Sequence, residues 1–170
     1  MKGQRGFTII EMLVIIGIMT VLSGLLILYS RTGEMTSTLI REIAKISSNI
    51  NRARNMAITT SDWNGQRVCG YGVFFNKAEN KYIIFTDLSA DCQSSLHLRP
   101  QDQSADVETI PVTAPLTISQ TDIDQVFFLP PDPTVYFEPD VSNEVEIKIQ
   151  TPSGTEMGVK LNKTGQVSAF

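Results

Sequence analysis

The chain has one histidine, two cysteines and one tryptophan among 170 residues, and almost no charge near its start. With His97 as the only imidazole, no histidine pair at a metal-ligand spacing exists. His97 lies in a polar stretch, where it reads as a surface residue rather than a general base. Cys69 and Cys92 allow one disulfide at most, and two free thiols or part of a metal site are the alternatives. Between Phe7 and Ser30 there is no lysine or arginine, and Glu11 is the one charged residue. No cation on the same stretch of helix can therefore neutralise that carboxylate.

Charge is divided along the chain. Through Thr60 there are seven Lys/Arg against three Asp/Glu, a net of +4; from Ser61 onward there are seven against fifteen, a net of −8. An acidic C-terminal part without clustered cations argues against nucleic acid as a partner, because phosphate contacts need such clusters. At 170 residues there is room for one domain and an anchor.

Residues 7–29 (FTIIEMLVIIGIMTVLSGLLILY) form a run of twenty-three residues. At 1.5 Å per helical residue such a run spans the ~30 Å hydrocarbon core of a bilayer. Lys2 and Arg5 precede it and favour an N-terminus on the cytoplasmic side, with the remainder translocated. In that compartment a Cys69–Cys92 disulfide is chemically reasonable. A secretory signal peptide would have a shorter apolar core and a small-x-small cleavage site, and neither is present. An uncleaved signal anchor has the same composition. Glu11 separates the readings. An acid at mid-bilayer costs ~2.5–3.5 kcal/mol on insertion scales, less near an interface, so it needs a partner.

Gly6-Phe7-Thr8-Ile9-Ile10-Glu11, with a basic residue before the glycine and an apolar run after it, resembles the class III signal of type IV pilins and type II secretion pseudopilins. The resemblance implies cleavage between Gly6 and Phe7 by a membrane-embedded prepilin peptidase and methylation of the new Phe7 amine. It further implies that Glu11 pairs with the Phe7 terminus of a neighbouring subunit during assembly. Gly17, Thr20 and Gly24 add small surfaces of the kind that let membrane helices approach closely. The family often has a proline late in this run; here there is none.

Beyond the run, Leu39, Ile43, Ile46, Ile50, Ala53 and Ala57 recur at steps of four and three and predict an amphipathic helix. Arg41, Glu42, Lys45, Arg52 and Arg54 fall off this stripe and read as a solvated face. One helix is expected over 7–60, loosened near Gly33. Nine strands are expected after it, at Arg67–Asn76, Lys81–Thr86, Glu108–Val112, Leu116–Ser119, Gln125–Leu129, Thr134–Phe137, Val145–Gln150, Met157–Leu161 and Gln166–Phe170. Lys77-Ala78-Glu79-Asn80 reads as the loop of a hairpin, and residues 87–103 as a polar loop containing Cys92. The paired acids Asp87 and Asp91, or Asp122 and Asp124, lack the oxygen count of a calcium site and read as solvated.

The fold class expected is α+β: a leader over 1–6, a transmembrane helix over 7–30, an amphipathic helix over 31–60 and a β-rich head over 61–170. Residues 46–58 and the C-terminal hairpin resemble the GspH/FimT group of minor pilins and pseudopilins. The resemblances imply a structural subunit at the cytoplasmic membrane with an extracytoplasmic head, later part of a pilus or pseudopilus. Its partners would be the prepilin peptidase, other pilin subunits and an inner-membrane assembly platform. A major subunit, or a tip module that holds a ligand, is the alternative. No catalytic set and no cofactor motif emerges from the residues.

Overall fold

The computed structural model describes residues 8–93, 95–101, 104–130, 134–141 and 143–170, with the backbone alone in 27–32. The chain divides into two units, one ending at Ser37 and the other comprising Thr38–Phe170. Helix α1 (Ile9–Ile58) begins in the first and ends in the second, and it is helical through Gly33. Its C-terminus is closed without glycine. Thr60 takes φ +45°, its N–H reaches the Ala57 carbonyl at 3.0 Å, and the Ser61 N–H reaches Met56 at 3.3 Å. These two bonds satisfy carbonyls that the last turn leaves free.

In the second unit the stripe is buried as expected: Leu39, Ile43, Ile46, Ile50, Ala53 and Ala57 are all at most 2% exposed. Removing each Leu or Ile from water contributes about 1.5–3 kcal/mol, an upper figure because the unfolded chain is itself partly compact. Glu42 departs from the expectation of a solvated residue. It is buried, and its carboxylate accepts from Thr113 Oγ1 at 2.6 Å and Lys45 Nζ at 3.3 Å. Lys45 also donates to the Pro111 carbonyl, and Arg52 pairs with Glu108 at 2.5 Å. Lys45 and Arg52 thus clamp α1 to its own sheet. Asn49 adds a hydrogen bond to the buried Tyr82 hydroxyl at 2.9 Å.

The α+β class is observed, with the nine strands in two antiparallel sheets. The first, in the order β3-β2-β1-β5-β6, contains β1 (Tyr71–Asn76), β2 (Lys81–Thr86), β3 (Asp106–Pro111), β5 (Gln125–Leu129) and β6 (Thr134–Glu138). The second, β4-β7-β8-β9, contains β4 (Thr117–Thr121), β7 (Glu144–Gln150), β8 (Glu156–Asn162) and β9 (Val167–Ala169). The β1–β2 register pairs Asn76 with Lys81 across the expected four-residue loop, where Asn80 adopts φ +50°. The β8–β9 turn places Gly165 at φ +75°, and Asn162 Oδ1 gathers the N–H groups of Thr164 and Gln166. β1 starts at Tyr71, later than the expected Arg67.

Alternate residues of both sheets join the helix stripe in one core: Tyr71, Val73 and Phe75 of β1, Val126 and Phe128 of β5, and Val145, Ile147 and Ile149 of β7. Ile83, Phe85 and Phe127 lie outside that core yet are at most 2% exposed. The five-stranded sheet is therefore covered on both faces, and on the outer one the described residues of the polar loop, His97 and Arg99 among them, lie over Phe127 and Phe74. Gly72 marks how closely its neighbouring strands β2 and β5 crowd β1 within that sheet. A Cβ there would lie 2.6 Å from the Phe85 ring and from the Val126 carbonyl oxygen. Gly72→Ala is expected to cost about 1–3 kcal/mol in denaturant unfolding of the detergent-solubilised chain. Gly33→Ala, where a Cβ meets nothing within 4 Å, should not lower stability.

Candidate functional site

The described part of the N-terminal unit is helical. Over Ile9–Leu26 none of the residues is buried, and the span is long and apolar enough to cross a membrane. Glu11 lies in the first turn. Its Oε2 accepts from the Thr8 N–H and from Thr8 Oγ1, both at 3.3 Å, while Thr8 Oγ1 accepts from the Glu11 N–H at 3.3 Å. Met12 N–H reaches the Thr8 carbonyl at 3.3 Å. This is a capping box: threonine and glutamate three residues apart satisfy each other's free amides at a helix N-terminus. Such a cap contributes about 1 kcal/mol, and the carboxylate also faces the positive end of the helix dipole.

The Thr-x-x-Glu pattern before an apolar run is visible in the sequence, so Glu11 is a local cap as well as the charge in need of a distant partner that was expected. Gly6 and Phe7, the expected cleavage and methylation sites, lie outside the described residues. Further along the same helix, Thr20 Oγ1 donates to the Gly17 carbonyl at 2.8 Å, so its hydroxyl is satisfied within the helix. Ile16, Met19, Thr20, Ser23 and Gly24 border a shallow, mostly apolar groove.

In the head, Cys69 and Cys92 form a disulfide with their Cα atoms 5.1 Å apart. Cys69 N–H donates to the Asp87 carbonyl at 2.8 Å, which extends the β1–β2 pairing and brings the start of the loop alongside Cys69. Cys92 then folds back to close the bridge, as the register requires. The loop continues over the outer face of the sheet. His97 stacks on Phe127 with ring centroids 4.7 Å apart and planes 5° from parallel, and it tilts against Tyr136. Arg99 sits over the Phe74 ring and makes a two-pronged bond to Asp106, at 2.7 and 2.6 Å. Gln125 donates to the His97 carbonyl and accepts from the Arg99 N–H, holding the loop backbone as a strand would.

His97 is thus a buried residue, 6% exposed, which corrects the expectation of a surface side chain. Its Nδ1 lies 2.9 Å from Asp87 Oδ2. Asp87, expected to be solvated, is 5% exposed. Its Oδ1 accepts from the Ser89 N–H and hydroxyl, and its Oδ2 from the Ser95 hydroxyl. Burial raises the Asp87 pKa, but the hydrogen bonds from Ser89, Ser95 and His97 outweigh it and hold the carboxyl below its usual range. Both serine hydroxyls donate to the carboxylate rather than to the imidazole. The hydroxyl-to-imidazole contact that activates a serine nucleophile is therefore not made by Ser89 or Ser95.

Two of the other acids considered as ligands also have structural partners: Asp122 accepts from the Glu146 N–H and Gln120, and Asp91 from the Gln93 N–H. Among the described residues no group of three or more His, Cys, Asp or Glu side chains could hold a metal.

The prokaryotic N-terminal methylation motif matches residues 1–27. This is the class III signal of pilin-like precursors, and it coincides with the capped apolar helix. No curated protein and no solved structure matches the chain.

Cys92→Ser is expected to cost about 3 kcal/mol, the chain entropy released by opening a loop of this size. Lowering pH tests Asp87. A depressed carboxylate pKa stabilises the fold fully above the ordinary aspartate value of 3.8, and that contribution is lost as pH falls through the lower folded value. The guanidinium midpoint should therefore fall more steeply below this point in the unmodified chain than in Asp87→Asn.

Proposed function

We propose that the chain is a prepilin-type structural subunit, cleaved after Gly6 and assembled into a type IV pilus or a type II secretion pseudopilus. The observation that carries this reading is the coincidence of the methylation motif over residues 1–27 with an unpartnered apolar helix whose one acid sits in its first turn. Cleavage would free an ammonium on Phe7. In a dry bundle of helices, a carboxylate and an ammonium attract far more strongly than in water. In the separate subunit the Thr8 cap satisfies Glu11, so the acid is not left bare before assembly. In the filament the Phe7 amine of an adjacent subunit would compete for that carboxylate and set the axial register.

The two-sheet head and its C-terminal β7-β8-β9 meander favour a minor subunit of the GspH/FimT kind. Its partners on this reading are the prepilin peptidase, other pilin subunits and the inner-membrane assembly platform.

The N-terminal mass of the mature protein tests the processing step. Loss of Met1–Gly6 with one methyl group on Phe7 is expected, whereas an intact Met1 sinks the reading in favour of a plain signal anchor. Glu11→Ala should still be cleaved but enter filaments poorly, by at least about tenfold if the pair contributes 1.4 kcal/mol or more. Thr8→Val, which removes only the side-chain half of the cap, should lower helix stability while leaving the assembly partner of Glu11 in place. Undiminished incorporation of Glu11→Ala would overturn the pairing.

A further inference from the structure

Two sheets have four edges, and three of them are closed. On β3 the strand ends in Pro111, its pairing with β2 is interrupted by a register shift at Ile84/Phe85, and Glu108 projects from it. β4 also carries a register shift, at Ile118/Gln120, and side chains occupy its rim: Asn80 accepts from the Ile118 N–H and donates to the Leu116 carbonyl, while Lys77 donates to the Ser119 carbonyl. β9 is three residues long. These are the devices by which proteins prevent strands from adding to a sheet: proline, charge, irregularity and shortness.

β6 has only charge, in Glu138 at its last position, with Pro139 just beyond it. It pairs with β5 in unbroken register over five residues and contains neither proline nor lysine. Among the described residues, no loop backbone hydrogen bond reaches Thr134–Phe137. Its flank is apolar. From residue 61 onward the exposed large hydrophobics are Leu96 at 81%, Leu98 at 44%, Tyr136 at 44% and Phe170 at 45%. The first three line one groove of about 410 Å³ along β6. The disulfide-held loop, which hides the rest of the outer face, ends its apolar cover here and presents two leucines beside an open edge.

The geometry points to strand addition: an extended segment of another polypeptide, with apolar and basic residues in alternation, pairs with β6. Backbone hydrogen bonds would supply affinity, and the side chains facing Leu96, Leu98 and Tyr136 would supply selectivity. Charge selects the basic occupant. Lys163 is bonded to Asp140 at 2.8 Å, which leaves Glu138 without an ion-pair partner among the described residues. A second copy is disfavoured because two heads of net −8, seven cations against fifteen acids from Ser61 onward, would meet edge to edge. The site stands apart from the N-terminal signal and does not depend on its processing.

Amide hydrogen exchange on the full chain in detergent decides the matter. The probe is a hexapeptide alternating lysine and valine, with a glutamate–valine hexapeptide as counterpart. The lysine peptide is expected to slow exchange in 134–138 by about tenfold or more, as an added strand protects an open edge, and the glutamate peptide to do so far less. Thr134→Lys should abolish the protection, while Thr109→Lys on β3 should leave it intact. Exchange in Tyr71–Asn76 reports whether each variant is folded, and the two-peptide comparison on the unmodified chain stands without any variant. Absence of protection, equal protection by both peptides, or protection at β3 or β4 would overturn the proposal. So would protection of β6 that rises with protein concentration alone, which would make a second copy the occupant.

Discussion

Everything at the N-terminal end follows from the cost of holding one carboxylate in a helix that water does not surround. The first turn of any helix leaves amide hydrogens without acceptors, and an acid placed three residues after a threonine meets that need locally. Glu11 is therefore both a cap and a charge. The cap satisfies the carboxylate within one chain, and on the proposed assembly the charge is what a freed amine of a neighbouring chain would pair with. The two roles would compete for the same oxygen atoms, so on the proposed assembly a subunit that surrendered its cap to a neighbour would exchange a weak local bond for a stronger one between chains.

The head solves a different problem with the same economy. One helix stripe and two sheets supply a single core, but the outer face of the five-stranded sheet is apolar as well. A third layer of secondary structure would be the usual cover. Here residues 87–105 do the work with few apolar side chains: His97 lies flat on Phe127, Arg99 on Phe74, and Gln125 binds the loop backbone from below. Such a cover is held by directional bonds rather than by area. Its energetic weight sits on Asp87, where four donors converge on one buried carboxylate.

Much of this was legible in the sequence, because periodicity reports burial directly. The stripe from Leu39 to Ala57 and the alternation of Val145-Glu146-Ile147-Lys148-Ile149 each point one face inward, and both fell where expected. The loop Lys77–Asn80 was marked by turn residues. What escaped notice was set by pairing across distance. The division of strands between two sheets is not written in any one strand. The burial of His97, Asp87 and Glu42 depends on neighbours ten to seventy residues away. A clue to the covered outer face was available nonetheless: Tyr82-Ile83-Ile84-Phe85 and Val126-Phe127-Phe128 are continuous apolar runs, and a strand apolar on successive residues has no face left for water. The Thr8–Glu11 cap was equally open to inspection. The end of α1 fell within two residues of the expected Thr60, but the positive φ by which Thr60 closes it was not legible, since threonine rarely takes one.

The position of the disulfide also bears on how the head carries load. Cys69 directly precedes β1, and Cys92 follows β2. The two central strands of the larger sheet thus lie inside the covalent loop. Tension travelling along the polypeptide from α1 toward β3 passes across the sulfur–sulfur link and bypasses the β1–β2 hairpin. Stretching can peel away β3, β5 and β6, but it cannot pull the β1–β2 hairpin apart end to end without breaking a covalent bond.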